Sequence, residues 1–521
     1  MGVKKFKLDT QEFFFAKCGE YVKPYYKLKE QESVRKRAEG IKDKIIQKVG
    51  KEFRPLAVHL IMFDSLSRLS FFRNFPDTVK ALSGHPEEVC VYDFYAAAAH
   101  GFDTQPNLIP IFFGHSSPEH WEKLRGLSIF ARGDRESFLK IQEKAIWNYF
   151  KKMGFVTMFG YDTVWDYFSY TVGRKISTDH VSSNFFHAAK KFTGYEDFKK
   201  DVQCIGNETS DYYILKYFQD FARSYKGMNK FSYIHLSQGH ERTGQVIRTV
   251  DGNLKRSLEE VIEGYNKEGQ EFVIFVGGDH GKHSREWDWS YEGIAENRLP
   301  LLFMIGSKSF LEKIGSKAHN NVNKLVSRLD LHLTLKHLAI SPYGRLDKTS
   351  SLYKSWQSSQ KFDARSLLIE EVPSRTCNQL GISDFLCPCE NLLPINDTSS
   401  PYIQTITRKA FLTQRSQQKL LNISECKDLY LDKILKVSQR KLKEDHLLTR
   451  FIEIQASVFS LNQSLVLIQV YLSISNEFRK TGFEADFDLD YLDAQASVKI
   501  LNFTKIDSLP SCSDALICYC S

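Results

Sequence analysis

Four residues carry the oxygen and nitrogen atoms that a divalent cation prefers, and most of them stand where a predicted strand ends: Asp64, Thr104, Asp279 and His280. Two carboxylates, a hydroxyl and an imidazole form a suitable ligand set. A metal bound there would lower the pKa of the Thr104 hydroxyl, making it an alkoxide nucleophile, and would draw charge off a transferring phosphoryl group. Each residue alone could be a helix cap or an ordinary turn residue. Their co-occurrence predicts one divalent ion (zinc, manganese or calcium) and a Thr104 nucleophile.

Three apolar runs of strand length must position this set. The runs are residues 55–63, 230–236 and 271–276. Runs that are apolar throughout are typical of parallel strands buried on both faces. A helical pattern over residues 243–266 joins the second and third runs into a βαβ unit, whose strands are parallel. We therefore expect His240 and Asp279 to emerge at the same edge of an α/β sheet.

Asp279 and His280 are adjacent, so on a regular strand their side chains would point to opposite faces. Gly278 and Gly281 flank the pair. We expect these glycines to let the backbone turn, so that both side chains point into the site.

The length of 521 residues predicts two or three domains. We expect a helical lead-in over 1–50, a catalytic domain over 51–345, a Cys-containing linker or extension over 346–400 and a small, mostly β domain over 401–521. The net charge of +8 is diffuse and no basic aromatic motif occurs, so no nucleic-acid partner is predicted. No uninterrupted apolar run approaches the length of a membrane span.

Cysteines crowd into the last third of the chain, at positions 377, 387, 389, 426, 512, 518 and 520. They lack zinc spacing and favour disulfides. Five sequons, beginning at Asn207, Asn396, Asn422, Asn462 and Asn502, favour a glycoprotein. The first residues lack the apolar core of a signal peptide. We expect an extracellular or secretory-lumen protein whose signal or membrane anchor is missing from this chain; the alternative is a cytoplasmic protein with accidental sequons.

An ordered series of motifs points to a family. It comprises Met62-Phe-Asp64-Ser-Leu-Ser67-Arg68, Asp103-Thr104-Gln-Pro106-Asn107-Leu108, Gly278-Asp279-His280-Gly281, Glu296-Asn-Arg298-Leu-Pro300, Ser374-Arg-Thr-Cys377 and Cys387-Pro-Cys389. Over about residues 50–395 the chain resembles the animal family "domain of unknown function 229" of the alkaline-phosphatase and sulfatase superfamily. The resemblance implies a doubly wound, mostly parallel α/β core, a metal-bound Thr nucleophile and a secreted or membrane-anchored protein.

Departures from related groups narrow the expected chemistry. Sulfatases place a convertible Cys or Ser in Cys/Ser-x-Pro-x-Arg, whereas this chain has Thr104-Gln-Pro106-Asn-Leu108, so sulfatase chemistry of that type is not expected. Two-metal phosphodiesterases carry Asp-x-x-Gly-His, and here Leu236 stands at the Asp position before Gly239-His240. This substitution argues against a complete second metal site.

The remaining pattern is similar to lipoteichoic-acid synthases and phosphoethanolamine transferases. That similarity implies that His240 contacts the phosphoryl group or the leaving oxygen. His283 is a second candidate for a substrate contact and could equally be a surface residue; Asp179 with His180 is a third, for which a structural role in a loop is favoured.

We therefore expect a metal-dependent hydrolase or transferase acting on a phosphate ester, or less favourably a sulfate ester, carried by a substrate such as a glycan or a lipid. The alternative is a catalytically silent, sulfatase-like extracellular binding protein with a structural metal. The sequence leaves the oligomeric state open.

Overall fold

The fold is that of a computed structural model, which describes residues 12–49, 53–84, 87–117, 143–163, 176–196, 204–241, 243–282, 291–314, 317–344, 346–382, 386–388, 393–395, 397–420, 429–440, 449–460, 465–475 and 497–505. The chain divides into two compact units, Met1–Ser284 with Glu296–Pro388, and Arg285–Ala295 with Cys389–Ser521. Within the described ranges, no helix combines the length and the apolar character needed to cross a membrane.

The strands are β1 Phe13–Cys18, β2 Tyr21–Tyr26, β3 Leu56–Phe63, β4 Val89–Asp93, β5 Ala96–Ala97, β6 Val156–Tyr161, β7 His180–Val181, β8 Cys204–Ile205, β9 Glu208–Thr209, β10 Lys230–Leu236, β11 Glu271–Gly278, β12 Leu302–Ser307, β13 Leu325–Val326, β14 Leu393–Ile395, β15 Leu429–Arg440, β16 Thr449–Ser460, β17 Leu465–Ser475 and β18 Ser497–Lys505.

The α-helices are α1 Glu32–Val49, α2 Arg68–Asn74, α3 Pro76–Ser83, α4 Thr104–Phe113, α5 Ile146–Lys152, α6 Ser183–Thr193, α7 Ser210–Arg223, α8 Asp251–Glu268, α9 Tyr291–Arg298, α10 Lys308–Ile314, α11 Ala318–Asn321, α12 Arg328–Ile340, α13 Ser351–Ser358 and α14 Pro401–Leu420. Short 3-10 turns cover Gln238–His240, Val246–Val250, Ser341–Tyr343 and Asn378–Leu380.

A seven-stranded sheet in the order β4-β12-β11-β3-β10-β6-β7 forms the centre of the first unit. Strands β11, β3, β10, β6 and β7 are parallel, β12 pairs with β11 in the antiparallel direction, and the edge strand β4 pairs antiparallel with β12 and so runs in the same direction as β11. Every residue of β3 and of β10 is buried, which explains why β3 is apolar except for His59 and why most residues of β10 are apolar or aromatic. The prediction of a mostly parallel sheet is confirmed.

Helices cover both faces of this sheet. One apolar core contains residues of α3, α6, α7 and α8, and the other contains residues of α4, α5 and α12. This arrangement of three layers is the doubly wound α/β fold that the sequence predicts. The segment after residue 346 also packs into the first unit, because Leu367 and Leu368 belong to the second of these cores.

The amino-terminal region differs from the expected helical lead-in. It begins with the hairpin β1–β2, and the helix α1 follows only at Glu32. Gly19 adopts a left-handed conformation in the turn, and the rings of Phe14 and Tyr25 stack across the strands at 4.4 Å. Cross-strand aromatic pairing therefore outweighs the charged composition that favoured a helix.

The second unit consists of α14 and an antiparallel sheet in the order β14-β15-β16-β17-β18. Its strands alternate apolar and polar residues, and the mostly β character expected of the C-terminal region is confirmed.

One disulfide is present among the described cysteines, between Cys377 and Cys387. Cys18, Cys90 and Cys204 are free thiols. The cysteines at 389, 426, 512, 518 and 520 lie outside the described residues.

Candidate active site

The central strands end in register. Phe63 at the end of β3 lies beside Leu236 of β10 and Gly278 of β11. Two backbone hydrogen bonds extend the ladder by one residue, from Asp64 N to Leu236 O (2.8 Å) and from Asp279 N to Phe63 O (3.0 Å). Parallel pairing thus delivers the carboxylates of Asp64 and Asp279 to one point at the carboxyl edge of the sheet.

Thr104 reaches the same point from the first turn of α4. Its side chain is buried, and Oγ1 lies 3.2 Å from His280 Nε2. Asn107 fixes the preceding loop, because its Nδ2 donates to Gly101 O and to Asp103 O, both at 2.8 Å. The hydroxyl is therefore held at a helix amino terminus, where unpaired N–H groups and the helix dipole favour negative charge.

The imidazole of His280 is oriented by the backbone. Its Nδ1 lies 2.7 Å from Gly281 O, and since a carbonyl only accepts, Nδ1 carries the proton. The lone pair is then on Nε2, which lies 3.6 Å from Asp64 Oδ1 and 3.5 Å from Asp279 Oδ2. Asp279 Oδ2 is buried and has no hydrogen-bond partner within the part of the chain that the structure describes. A divalent cation would satisfy both atoms.

His235 is a member of the site that the sequence analysis missed. It lies one residue before the end of β10. One of its ring nitrogens, one oxygen of Asp64 and one oxygen of Asp279 lie within 4.8 Å of one another, and all three residues are buried, so these atoms could bind a metal ion together. Tyr233 OH lies 2.8 Å from Nδ1, and burial lowers the pKa of His235 to about 4. The sequence offered no distinguishing signal for His235, because β10 also contains Lys230 and Ser232, and the equally buried His59 of β3 is a core residue that contacts Ser232 and Tyr265.

The two carboxylates have different protonation behaviour without a metal. Burial and the nearby charge of Asp279 raise the pKa of Asp64. Burial also acts to raise the pKa of Asp279, but positive charge on His280 and His235, when these rings are protonated, together with hydrogen bonds such as that from Ser65 N–H, outweighs it and holds that pKa below its usual value. Two carboxylates that are buried close together repel each other when both are ionised, and a cation between them would remove that cost.

Backbone and hydroxyl groups hold both carboxylates in place. Ser65 adopts a left-handed conformation with φ of 60°, which is costly for a residue other than glycine. In this conformation its N–H donates to Asp279 Oδ1 at 3.0 Å and its Oγ donates to Asp64 Oδ1 at 2.8 Å. The strained serine thus links the two carboxylates.

Arg328, at the start of α12, is a second residue that the sequence analysis missed. It is almost completely buried, and Nη2 donates to Gly278 O (2.6 Å) and Asp279 O (2.9 Å). The guanidinium therefore fixes the backbone of the Asp279 segment and supplies a compensating charge.

The glycines beside the site act through close approach. A Cβ on Gly278 would collide with Leu66 O, one on Gly281 with the backbone around Glu296, and one on Gly239 with Asp64 O. None of these glycines is among the residues with positive φ. The expected turning freedom of Gly278 and Gly281 is therefore not what the site uses; it uses their missing side chains.

His240 lies beside this group. It ends the 3-10 turn Gln238–His240 and is exposed, and its charge contributes to lowering the pKa of His235. Asp162 holds the turn, because its Oδ1 accepts from Ser237 N (3.0 Å) and its Oδ2 from Gln238 Nε2 (2.5 Å). The described ranges contain one group of three or more potential metal ligands, that of Asp64, His235 and Asp279.

The other candidate contacts are not brought to the site. Asp179 lies beside Thr157 at the start of β6, at the opposite edge of the sheet, and forms ion pairs with Arg37 (2.8 Å) and Lys151 (2.9 Å). His180 is buried, with Nε2 2.8 Å from Tyr225 OH. Both residues have structural partners there. His283 lies outside the described residues.

The fold has distant likenesses among solved structures. The C-terminal periplasmic domain of EcEptC from Escherichia coli, in complex with Zn, aligns with a TM-score of 0.41 and 12% identity over 63% of this chain and 90% of that one. The lipooligosaccharide phosphoethanolamine transferase A from Neisseria meningitidis aligns at 0.39 and 13%, over 56% of this chain and 55% of that one. The Streptococcus pyogenes phosphoglycerol transferase GacH, in complex with sn-glycerol-1-phosphate, aligns at 0.37 and 13%, over 68% and 91%. Likenesses this distant do not transfer an activity.

Comparison with curated proteins finds no match. In contrast, the model of one protein family, "Protein of unknown function (DUF229)", matches residues 4–435. This range includes the whole of the strand-end site, by which we mean Asp64, Thr104, His235, Asp279 and His280. The chain belongs to the DUF229 family.

Proposed function

We propose that the chain is a metal-dependent phosphoester hydrolase or transferase with Thr104 as its nucleophile. The observation that carries this proposal is the convergence of the Thr104 hydroxyl, at a helix amino terminus, with two buried carboxylates and an imidazole lone pair. Structural carboxylates are usually satisfied by hydrogen bonds, whereas Asp279 Oδ2 has no such partner within the described residues.

The residues fit a divalent cation. Asp64, Asp279, His280 and Thr104 would hold it, with His235 as an additional nitrogen nearby. A bound cation would lower the pKa of the Thr104 hydroxyl and neutralise charge on the transferring phosphoryl group.

In the proposed phosphoryl transfer, the residues of the chain have separate roles. Thr104 Oγ1 attacks phosphorus, and the bond from phosphorus to the leaving oxygen breaks. The amino-terminal N–H groups of α4 face the phosphoryl oxygens and stabilise their charge. We assign His240, which is exposed and whose charge contributes to lowering the pKa of His235, the role of donating a proton to the leaving oxygen. Water or an acceptor alcohol then gives a proton back to His240 and attacks phosphorus, the bond from phosphorus to Thr104 Oγ1 breaks, and hydrolysis or transfer is complete.

The test uses the full chain loaded with zinc or manganese and an aryl phosphate monoester and diester as substrates. We expect turnover in the parent and a loss of at least about 1000-fold in T104V, which keeps the shape of the side chain but removes the hydroxyl. Acid quenching followed by peptide mass spectrometry should find phosphate on Thr104. Equal turnover by T104V would refute the nucleophile, and bound metal without turnover would favour a silent binding protein.

We also propose that the chain functions in an oxidising, lumenal or extracellular compartment. Supporting this, Cys377 and Cys387 form a disulfide, and the sequon residue Asn207 is exposed in the turn between β8 and β9. Expression with a secretory leader should yield a glycan at Asn207 that N207Q removes. A protein secreted without this glycan would count against the proposal.

A further inference from the structure

A second cavity lies away from the strand-end site. It has a volume of about 290 Å³ and opens at the carboxyl end of α4, beside Phe113. Phe113 follows Thr104 by nine positions in α4, which places the cavity roughly 14 Å along the helix axis from the nucleophile. Gly114 closes the helix in a left-handed conformation, and its missing side chain lets the ring of His332 approach. The cavity is thus a separate part of the first unit.

Its lining is cationic. Three lysines line it, Lys144, Lys336 and Lys361. Among the described residues, none of these lysines has an ion-pair partner within 4.0 Å. The nearby carboxylates of Asp363 and Glu370 are already engaged, because both form ion pairs with Arg365.

Lys336 is the central cation. It is largely buried, and its Nζ lies 4.6 Å from the ring centroid of Trp356 and 5.4 Å from that of Tyr149. Burial lowers the pKa of Lys336 to about 8, so the group is still mostly charged at neutral pH. A desolvated ammonium whose partners are aromatic rings would gain from an anion placed beside it.

Other lining groups suit an organic body attached to that anion. His332 Nδ1 donates to Ile111 O at 2.8 Å, and burial lowers the pKa of His332 to about 3, so the ring is neutral and its Nε2 can accept a hydrogen bond. The rings of Phe113 and Phe362 form apolar walls. The combination of cations, hydrogen-bond acceptors, including those of Ser359 and Gln360, and aromatic walls suits a hydroxylated ring bearing an oxyanion.

We propose that this cavity is a second ligand site, which binds a small hydroxylated organic molecule carrying a phosphate or sulfate group. Lys336, Lys144 and Lys361 hold the oxyanion, His332 accepts from a hydroxyl, and the aromatic walls cover the ring. The site is independent of the strand-end site and does not rest on the function proposed for it.

The experiment is calorimetric titration of the full-length D279N protein, in which the strand-end site is impaired, with glucose 6-phosphate, glucose 6-sulfate, glucose and inorganic phosphate. We expect one of the two glucose esters to bind, and to bind the parent equally. K336M should weaken binding by at least about tenfold. The double variant K144M/K361M should weaken it as much, and because both positions are exposed, these substitutions should not prevent folding. K354M, at an exposed position of α13 away from the cavity, is the matched control and should bind like the parent.

Preference for the phosphate or the sulfate ester identifies the oxyanion. Failure of both esters to bind, or equal binding by K144M/K361M, would overturn the proposal. Equal affinity for inorganic phosphate would overturn the assignment of an organic ligand. Because the readout is binding to a protein with an impaired strand-end site, these outcomes are separate from any failure of the proposed catalytic function.

Discussion

The same substitution at two carboxylates should change stability in opposite directions. In the metal-free protein, burial and the charge of Asp279 raise the pKa of Asp64, so ionised Asp64 opposes folding. Asp279, in contrast, has a lowered pKa, and its Oδ1 accepts from Ser65 N (3.0 Å) and His280 N (2.7 Å). We therefore expect D64N to stabilise the metal-free protein and D279N to destabilise it.

The size of each effect follows from the contacts. An Asp that must be neutral in the folded state costs at most about 1.4 kcal/mol for each pH unit above its unfolded pKa near 3.9, which limits the gain from D64N at pH 7 to about 4 kcal/mol. The amide can keep the bond from Ser65 Oγ. D279N weakens two charge-assisted hydrogen bonds, at a cost of about 1–3 kcal/mol.

The dependence on pH gives a second check on Asp64. A raised folded pKa means that the folded parent binds a proton more tightly than the unfolded chain does. The stability of the parent relative to D64N should therefore fall as pH rises above about 3.9, until the folded group ionises. At lower pH the two proteins should converge.

The assay is urea unfolding in the presence of a chelator and in the presence of saturating zinc or manganese. Metal should reverse the order, since the parent gains binding free energy and D64N, without one ligand, gains little. The reasoning would be refuted if D64N were less stable than the parent in chelator, or if its advantage did not grow with pH.

Three further outcomes are expected. Removing metal from the parent should lower its unfolding free energy by about 2.7 kcal/mol relative to metal at 100 times its Kd, and an unchanged melting temperature after chelation would contradict a folded-state metal site. Burial lowers the pKa of His100, His332 and His337 to about 3 each, so the free energy of unfolding should fall as pH drops below about 6.5. At pH 5 each of these histidines should cost about 2 kcal/mol of stability. H337Q should therefore show a weaker dependence of the free energy of unfolding on pH, measured by urea unfolding. Reducing the Cys377–Cys387 disulfide, which closes a loop of 10 residues, should cost about 3 kcal/mol, and C377S/C387S should be insensitive to reductant; equal stability of reduced and oxidised parent would contradict this account.

The parts of the site that lie at strand ends could be predicted from the sequence. Asp64 and Asp279 follow predominantly apolar runs, and parallel strands in register bring such ends together without any further information. Thr104 could be placed because Pro106 and the preceding glycine indicate the start of a helix.

The parts of the site that act through tertiary contacts could not be predicted from the sequence. His235 lies inside a strand, where a histidine pattern does not differ from that of a core residue. Arg328 follows Asp279 by 49 residues, and only the packing of α12 brings its guanidinium to the Asp279 carbonyl. Asp179 has the composition of a site residue, yet its place at the start of β6 is fixed by strand order, which local sequence does not specify.

The close packing at Gly239, Gly278 and Gly281 limits which amino-acid substitutions this protein can tolerate. Because backbone packs directly on backbone at these three positions, any added side chain would have to displace main-chain atoms. A saturation library scored only for protein abundance, without any selection for activity, should already be depleted at these three positions. New specificity within the family must then arise in the walls and the rim, while the spacing between the strand ends stays constant.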